Sequence, residues 1–387
     1  MVAAVRAGES QRSVARRFGV GLATVQLWVG RAGEEPLERV EWSDRSSAPR
    51  RVRRTALGLE DHIVDLRRHL RDRSILGEHG AVAIHRALLD DERLTWPVPA
   101  VRTIGRILER RGAVDGRWRT RRPPPPPGWH LPDVVARRAE LDSFDLIDGL
   151  RLKGGEDVDV LTGISLHGGL PMAWPERSVT AERATRALTR HWRSAGLPGY
   201  AQFDNDPRFI GSGNRPDAIG SVIRLCLAVG VVPVFVPPLE VGFQAAIESF
   251  NGRWQAKFWT RFTGRTMRGL QARSAAWVAA THRRSAVRIE SAPTRSPFPA
   301  ALPDVSAPPT GRIVFLRRTD RWGSVSILNR RYPVDRRWLH RLVRAELDLD
   351  ARHILCYALR RREPADQPLL RELPYRAPSR WSEVTGR

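Results

Sequence analysis

Cysteine is nearly absent: Cys226 and Cys356 are the two in 387 residues. They lie far apart in apolar stretches, which excludes a disulfide framework and a cysteine-ligated zinc site. Lysine is as scarce, since among 65 basic residues only Lys153 and Lys257 are lysine and the rest are arginine. No apolar run approaches the length of a membrane span, and the N-terminus lacks the charged-then-apolar order of a signal peptide. A soluble, cytoplasmic protein without a membrane partner is therefore expected. Against the 65 basic residues stand 42 acidic ones, giving a formal charge of +23 and a pI near 11.5. That excess points to a polyanion, and DNA is the natural one. The length exceeds what one hydrophobic core usually supports, so several domains are expected.

The chain opens with two short helical patterns split by Gly19-Val20-Gly21. Val14, Ala15 and Phe18 mark the first helix, and Val25, Trp28 and Val29 the second. Two helices around a Gly-containing turn make a helix-turn-helix over residues 1–33. Its second helix would present Thr24 and Gln26 to a major groove, while Arg12, Arg16 and Arg17 meet phosphates. After a polar linker, residues 55–115 read as a second, winged-helix-like DNA-binding unit with helices near 59–73, 80–89 and 98–111. In the last of these, Val101, Ile104, Ile107 and Leu108 face a core, and Arg102, Arg106, Arg110 and Arg111 stay outside. Five consecutive prolines, Pro123 to Pro127, mark residues 116–137 as a stiff basic linker.

From about residue 138 the pattern changes. Three short strands are followed by alternating helices and strands up to residue 285, which gives a mixed sheet with helices on its faces. The stretch VPPLEVGFQAAIESFNGRWQAKFWTRF carries Pro237, Pro238 and Gly242, which end a strand and release the chain into a helix. Phe243, Ile247, Phe250, Trp254 and Phe258 form its buried stripe. Glu248 lies off that stripe, and Arg253, Lys257 and Arg261 are placed to meet phosphates. Asp142 lies within the first strand and Asp204 closes the fourth. Carboxylates gathered at strand ends and helix edges call for a hard cation. Two such ions can activate a hydroxyl and stabilise the leaving oxygen of a phosphodiester.

The segments ELDSF, AQFDND and PPLEVGFQAAIESFNGRWQAKFW together resemble the three-part acidic signature of DDE transposases of the retroviral-integrase superfamily, in particular bacterial insertion-sequence transposases. The resemblance spans about residues 139–281. It implies a ribonuclease-H-like catalytic core, Mg²⁺ or Mn²⁺ as two ions, and cutting and joining of DNA ends by water and then by a 3′-hydroxyl. Carried over by the motif, the catalytic and metal-holding residues are Asp142, Asp204 and Glu248. The partners it implies are double-stranded DNA, as element terminal repeats and target, and further copies of the same chain assembled on that DNA. The implied place is the bacterial cytoplasm, at the nucleoid.

Three departures accompany the likeness: Asp206 stands where glycine usually follows Asp-Asn, Gln244-Ala245-Ala246 replaces Gln-Asn-Gly, and GSGNRP reads as an insertion. Side chains alternate along a strand, so of Asp142 and Asp145 only one can join the site. The position in the motif favours Asp142, and Asp148 beside Gly149 reads as a turn residue. His191 and His282 read as helix-surface groups and His167 as a turn residue. Trp254 belongs to the core and Trp259 lies near DNA. After a Pro/Ser-rich link, residues 310–375 show short strands that suit a small β-barrel. The fold class is thus α+β multidomain, with N-terminal helix-turn-helix units, a ribonuclease-H-like mixed α/β core and a C-terminal barrel. Two rival functions share these features: a DNA-binding regulator derived from a transposase with an inert core, and a metal-dependent nuclease without strand transfer.

Overall fold

The computed structural model describes residues 1–43, 54–114, 126–211 and 216–378, which fall into two units, Met1–Leu57 and Gly58–Arg387. In the first unit α1 (Val2–Arg6), α2 (Gln11–Phe18) and α3 (Leu22–Ala32) form where the patterning places helices. Ser10 caps α2 by accepting from the Ser13 N–H, and Gly19 ends it at φ 64°, a left-handed conformation that glycine adopts without cost. Val14, Ala15 and Val25 are buried between the helices, whereas Phe18, expected inside, is 46% exposed. Arg6 ties the end of α3 by donating to the carbonyls of Gly33 and Glu35.

The second unit begins with α4 (Leu57–Arg73), α5 (Ala81–Leu89) and α6 (Val101–Arg110), within a few residues of the expected helices. Leu59, Ile63, Ile84, Leu88, Ile104 and Ile107 bury their stripes against one another. Arg110 and Arg111 are not free surface charges, because they pair with Glu60 and Asp61 of α4. The segment after α4 rests on the later helices. Leu76 packs against the cluster that holds Phe250, Trp254 and Trp277, and Glu78 pairs with Arg284. Of the polyproline tract, Pro123 to Pro125 lie outside the described residues, as do 212–215 within GSGNRP. The expected linker to residue 137 ends sooner: Trp129 and Leu131 are buried, and α7 (Pro132–Val135) buries Val134 in the same cluster.

A nine-stranded mixed sheet follows. Its strands are β1 (Leu141–Arg151), β2 (Asp157–Ser165), β3 (Pro171–Glu176), β4 (Tyr200–Phe203), β5 (Val232–Phe235) and β6 (Arg312–Arg318), with β9 (Leu342–Asp348), β10 (His353–Leu359) and β11 (Leu369–Pro374). Their order is β11-β10-β9-β6-β5-β4-β1-β2-β3, and β7 (Ser324–Ile327) pairs with β8 (Arg330–Pro333) as a separate hairpin. One face is covered by α8 (Ala181–Ala195) and α10 (Ser221–Ala228), and α9 (Pro207–Ile210) contributes Phe209 to that cluster. The other face is covered by α11 (Ala245–Lys257) and α12 (Met267–Arg284), with α13 (Ala286–Glu290) following.

The C-terminal strands correct the barrel expectation. They are not a separate domain, because β6 pairs parallel with β5 at Val234↔Val314 and Phe235↔Phe315 and adds four strands to the core sheet. Phe144, Phe203, Phe235 and Phe315 stand on four adjacent strands, with neighbouring ring centroids 5.5, 6.0 and 5.6 Å apart. This aromatic row is one apolar core, so separating β6 from β5 would expose it. The unbroken run Ile313-Val314-Phe315-Leu316 already carried the signature of a strand buried on both faces.

Candidate active site

The long strand β1 delivers Asp142 and Asp145 to opposite faces of the sheet. Asp142 is 1% exposed and lies on the α8 face, where its carboxylate accepts from Trp192 Nε1 at 3.2 Å and pairs with Arg295. His191 stands 3.9 Å away. It is tucked beside this pair, not on the helix surface, and burial pushes its pKa down to about 4. The structure does not bring Asp142 to Asp204 and Glu248, so the first-acid expectation is corrected.

Asp145 is the β1 aspartate that lies beside the end of β4 and faces α11. In the parallel β1–β4 ladder Asp142 aligns with Ala201 and Ser143 with Gln202. Continued by two residues, this register sets Asp145 level with Asp204, just past the end of β4. The side chain of Asp145 turns to the α11 face: Asn251 Nδ2 donates to Asp145 Oδ2 at 2.8 Å, and the Leu146 N–H donates to Oδ1 at 2.9 Å. Thr162, the cross-strand partner of Asp145, donates to Asn251 Oδ1 at 2.7 Å and fixes that amide. Burial first, and then the charges of Asp204, Glu248 and Asp148, together raise the Asp145 pKa to about 6.

Asp204 is half-buried, and burial raises its pKa too, with Asp206 and Asp148 adding like charge. Its Oδ1 accepts the Asp206 N–H at 3.1 Å. Glu248 sits in the first turn of α11, exposed, while Ile247, Phe250 and Trp254 hold the helix on the sheet. The period-3.6 stripe thus fixes the helix, and the position of Glu248 follows from it.

The unexpected Asp206 is accounted for by Arg208. Its guanidinium donates to Asp206 Oδ1 at 2.8 Å and Oδ2 at 2.7 Å, and to Asp148 at 2.8 and 3.1 Å. Arg208 lowers the Asp206 pKa and is itself held firmly protonated. Asp148 and Gly149 lie inside β1, at an irregularity in the β1–β2 ladder with Gly149 at φ 76°, so Asp148 is a strand residue at a bulge and not the expected turn residue.

Of the other nominated residues, Arg12, Arg16 and Gln26 are exposed on the N-terminal helices, Thr24 is half-buried, and Arg17 pairs with Glu9 at 2.5 Å. Arg253 is exposed over the Phe250 ring and Lys257 is half-buried. Arg261 is not presented to a ligand, because it donates to the carbonyls of Ser74 at 2.9 Å and Asp72 at 3.2 Å and so fastens the helical region to the core. Trp254 is buried, and Trp259 stacks on it with centroids 6.1 Å apart, so Trp259 belongs to the same cluster. His167 lies in the expected turn, and His282 is exposed.

Sequence reasoning missed Asn251, Arg208 and Arg317. Asn251 carried a signal, since three residues after Glu248 it lies on the neighbouring part of one helix face. The oxygen donors of Asp145, Asp204 and Glu248 are of the kind that suits a hard divalent cation, and the like charges of Asp204 and Glu248 add to the burial that raises the Asp145 pKa. Among the described residues, however, no three His, Cys, Asp or Glu side chains stand together as a preformed ligand set.

No helix among the described residues is long and apolar enough to cross a membrane. No protein-family model and no curated protein matches the sequence. Solved structures with some likeness include the catalytic core domain of BIV integrase, 13% identical with a TM-score of 0.27, covering 36% of this chain and 81% of that one. The HTLV-2 integrase catalytic core domain in complex with magnesium is 12% identical with a TM-score of 0.27, covering 35% and 81%. The simian T-cell lymphotropic virus intasome in complex with PP2A regulatory subunit B56 gamma is 13% identical with a TM-score of 0.33, covering 77% and 93%. At TM-scores this low neither fold nor function follows from the likeness.

Proposed function

We propose that the chain is a metal-dependent polynucleotidyl transferase that cuts and joins the ends of a mobile DNA element, a transposase of the DDE type. The observation that carries this reading is that Asp145, turned to the α11 face by its bond from Asn251, stands level with Asp204 in the β1–β4 register, with the charges of Asp204 and Glu248 adding to the burial that raises its pKa. These three carboxylates would hold Mg²⁺ or Mn²⁺, and two such ions supply Lewis-acid stabilisation of phosphodiester attack and departure. Asn251 holds the Asp145 carboxylate in orientation, and Arg208 keeps Asp206 and Asp148 neutralised beside it. Arg12, Arg16, Arg17, Thr24 and Gln26 would contact the element's terminal repeats, and Arg253 and Lys257 the strand near the acids. The net charge of +23 supports double-stranded DNA as the partner. Paired ends call for more than one copy of the chain, working at the nucleoid of a bacterial cell.

The second reading is a transposase-derived DNA-binding regulator with an inert core. It is favoured by the missing preformed ligand set among the described residues. Incubating the protein with its element's terminal repeats and Mg²⁺ tests both. Strand cleavage and joining that vanish in Asp145→Asn, Asp204→Asn and Glu248→Gln support the transposase. DNA binding without cleavage supports the regulator, and cleavage without joining supports a nuclease.

A further inference from the structure

Arg317 is a charged side chain in the middle of the sheet. It lies on β6 and is 8% exposed. Among the described residues its bonds all go to neutral oxygens. Nη1 donates to the carbonyls of Leu316, Val236 and Phe235 at 2.8, 3.2 and 3.3 Å, and Nε donates to Ser326 O at 3.1 Å. Nη2 donates to Asn205 Oδ1 at 2.8 Å. A buried guanidinium without a carboxylate is costly to keep, and a purely apolar strand would avoid that cost.

Its partners lie where the sheet hands over two of its three acids. Asn205 directly follows Asp204, and Phe235-Val236 closes β5 and opens the loop that leads to α11 and Glu248. Asn205 Nδ2 donates to Val236 O at 2.7 Å, so Arg317, Asn205 and Val236 close a triangle of hydrogen bonds that fixes the amide. The same C-terminal strands grip the loop further on. Arg318 pairs with Glu240, and Arg361 donates to Glu240 Oε2 at 3.2 Å and to Val241 O at 2.7 Å.

We propose that Arg317 is a positioning residue for the carboxylate site: through Asn205 and Val236 it sets the strand end that carries Asp204 against the start of the loop that carries Glu248. The C-terminal strands are thereby part of the catalytic unit and not an appended module. This rests on the metal-site reading above.

Mn²⁺ binding to the full chain tests it without any DNA. Free Mn²⁺ is counted by electron paramagnetic resonance for the wild type, Asn205→Ala, Arg317→Lys and the double variant, with a melting curve for each. Each single change is expected to weaken Mn²⁺ binding about 10-fold, the usual effect of removing a partner that orients a ligand. The double variant is expected to be no weaker than the weaker single, because both act through one triangle. Unchanged affinity in Asn205→Ala, which removes the link while leaving Arg317 its carbonyls, overturns the proposal even where Arg317→Lys does not fold. Losses that multiply in the double variant overturn it as well. A wild type that binds no Mn²⁺ overturns the metal site and this proposal together, whereas a binding wild type with unaffected variants overturns this proposal alone.

Discussion

Asparagine at position 142 and asparagine at position 145 are expected to have opposite consequences three residues apart on one strand. Asp142 is 1% exposed and holds Arg295 and the Trp192 indole N–H. Removing one charge of a buried pair costs about 3–5 kcal/mol, and asparagine keeps an acceptor for the indole, so about 3 kcal/mol is the expected loss. Unfolding entropy of about 2.1 cal/mol/K per residue gives roughly 0.7 kcal/mol/K for a unit of this size, so Tm should fall by about 4 °C. Mn²⁺ affinity should not change. Asp145→Asn removes a carboxylate whose ionised form the fold already penalises, so the protein should melt no lower at pH 7 while its Mn²⁺ affinity falls at least about 10-fold. Differential scanning fluorimetry and Mn²⁺ titration read both variants. Loss of Mn²⁺ binding in Asp142→Asn with an unchanged Tm would refute the register on which the site is built.

The pH dependence follows from the carboxyl of Asp145, which burial and its acidic neighbours hold at about 6. A cation needs the ionised form, so Mn²⁺ affinity at pH 5 should be about 10-fold below that at pH 7, and calorimetry finding equal affinities would contradict this. The metal-free protein carries the opposite sign. The folded state keeps its proton longer than the unfolded chain, so stability falls as pH rises from about 4 to about 6, and Asp145→Asn should flatten that fall. Arg12→Ala and Arg16→Ala should each weaken binding to any DNA duplex and lower the salt slope by about 1, as fluorescence anisotropy across a salt series would read. Arg261→Ala should lower Tm through its lost bonds to Ser74 and Asp72 while leaving that slope unchanged.

Much of the fold is legible from local patterning. Ile247, Phe250, Trp254 and Phe258 are buried together as their period implies, whereas Phe243 precedes α11 and packs with Trp129 and Val236, and Thr180 caps α8 where the strand pattern gives way. Each of these depends on residues within a few turns of one another. The site was less legible because it depends on pairing between distant segments. Alternation separates Asp142 from Asp145, but which of them meets Asp204 is set by the β1–β4 register, and which face meets Glu248 is set by where α11 packs. The C-terminal strands were readable one by one, yet their partner was not. A run such as Ile313 to Leu316 says that both faces are covered without saying that β5 lies alongside. Arg317 was lost among many arginines for the same reason, since its burial comes from that pairing.

The most direct measurement of the shared carboxylate site is metal-directed cleavage of the polypeptide itself. Fe²⁺ enters oxygen-rich Mg²⁺ sites and, with ascorbate and peroxide, cuts the backbone beside the bound ion. The expected result is a set of cuts beside Asp145, Asp204 and Glu248 that Mg²⁺ or Mn²⁺ suppresses and that Glu248→Gln weakens. Cuts beside Asp142 and Arg295, or none at any of the three acids, would contradict a metal-dependent active site at these strand ends.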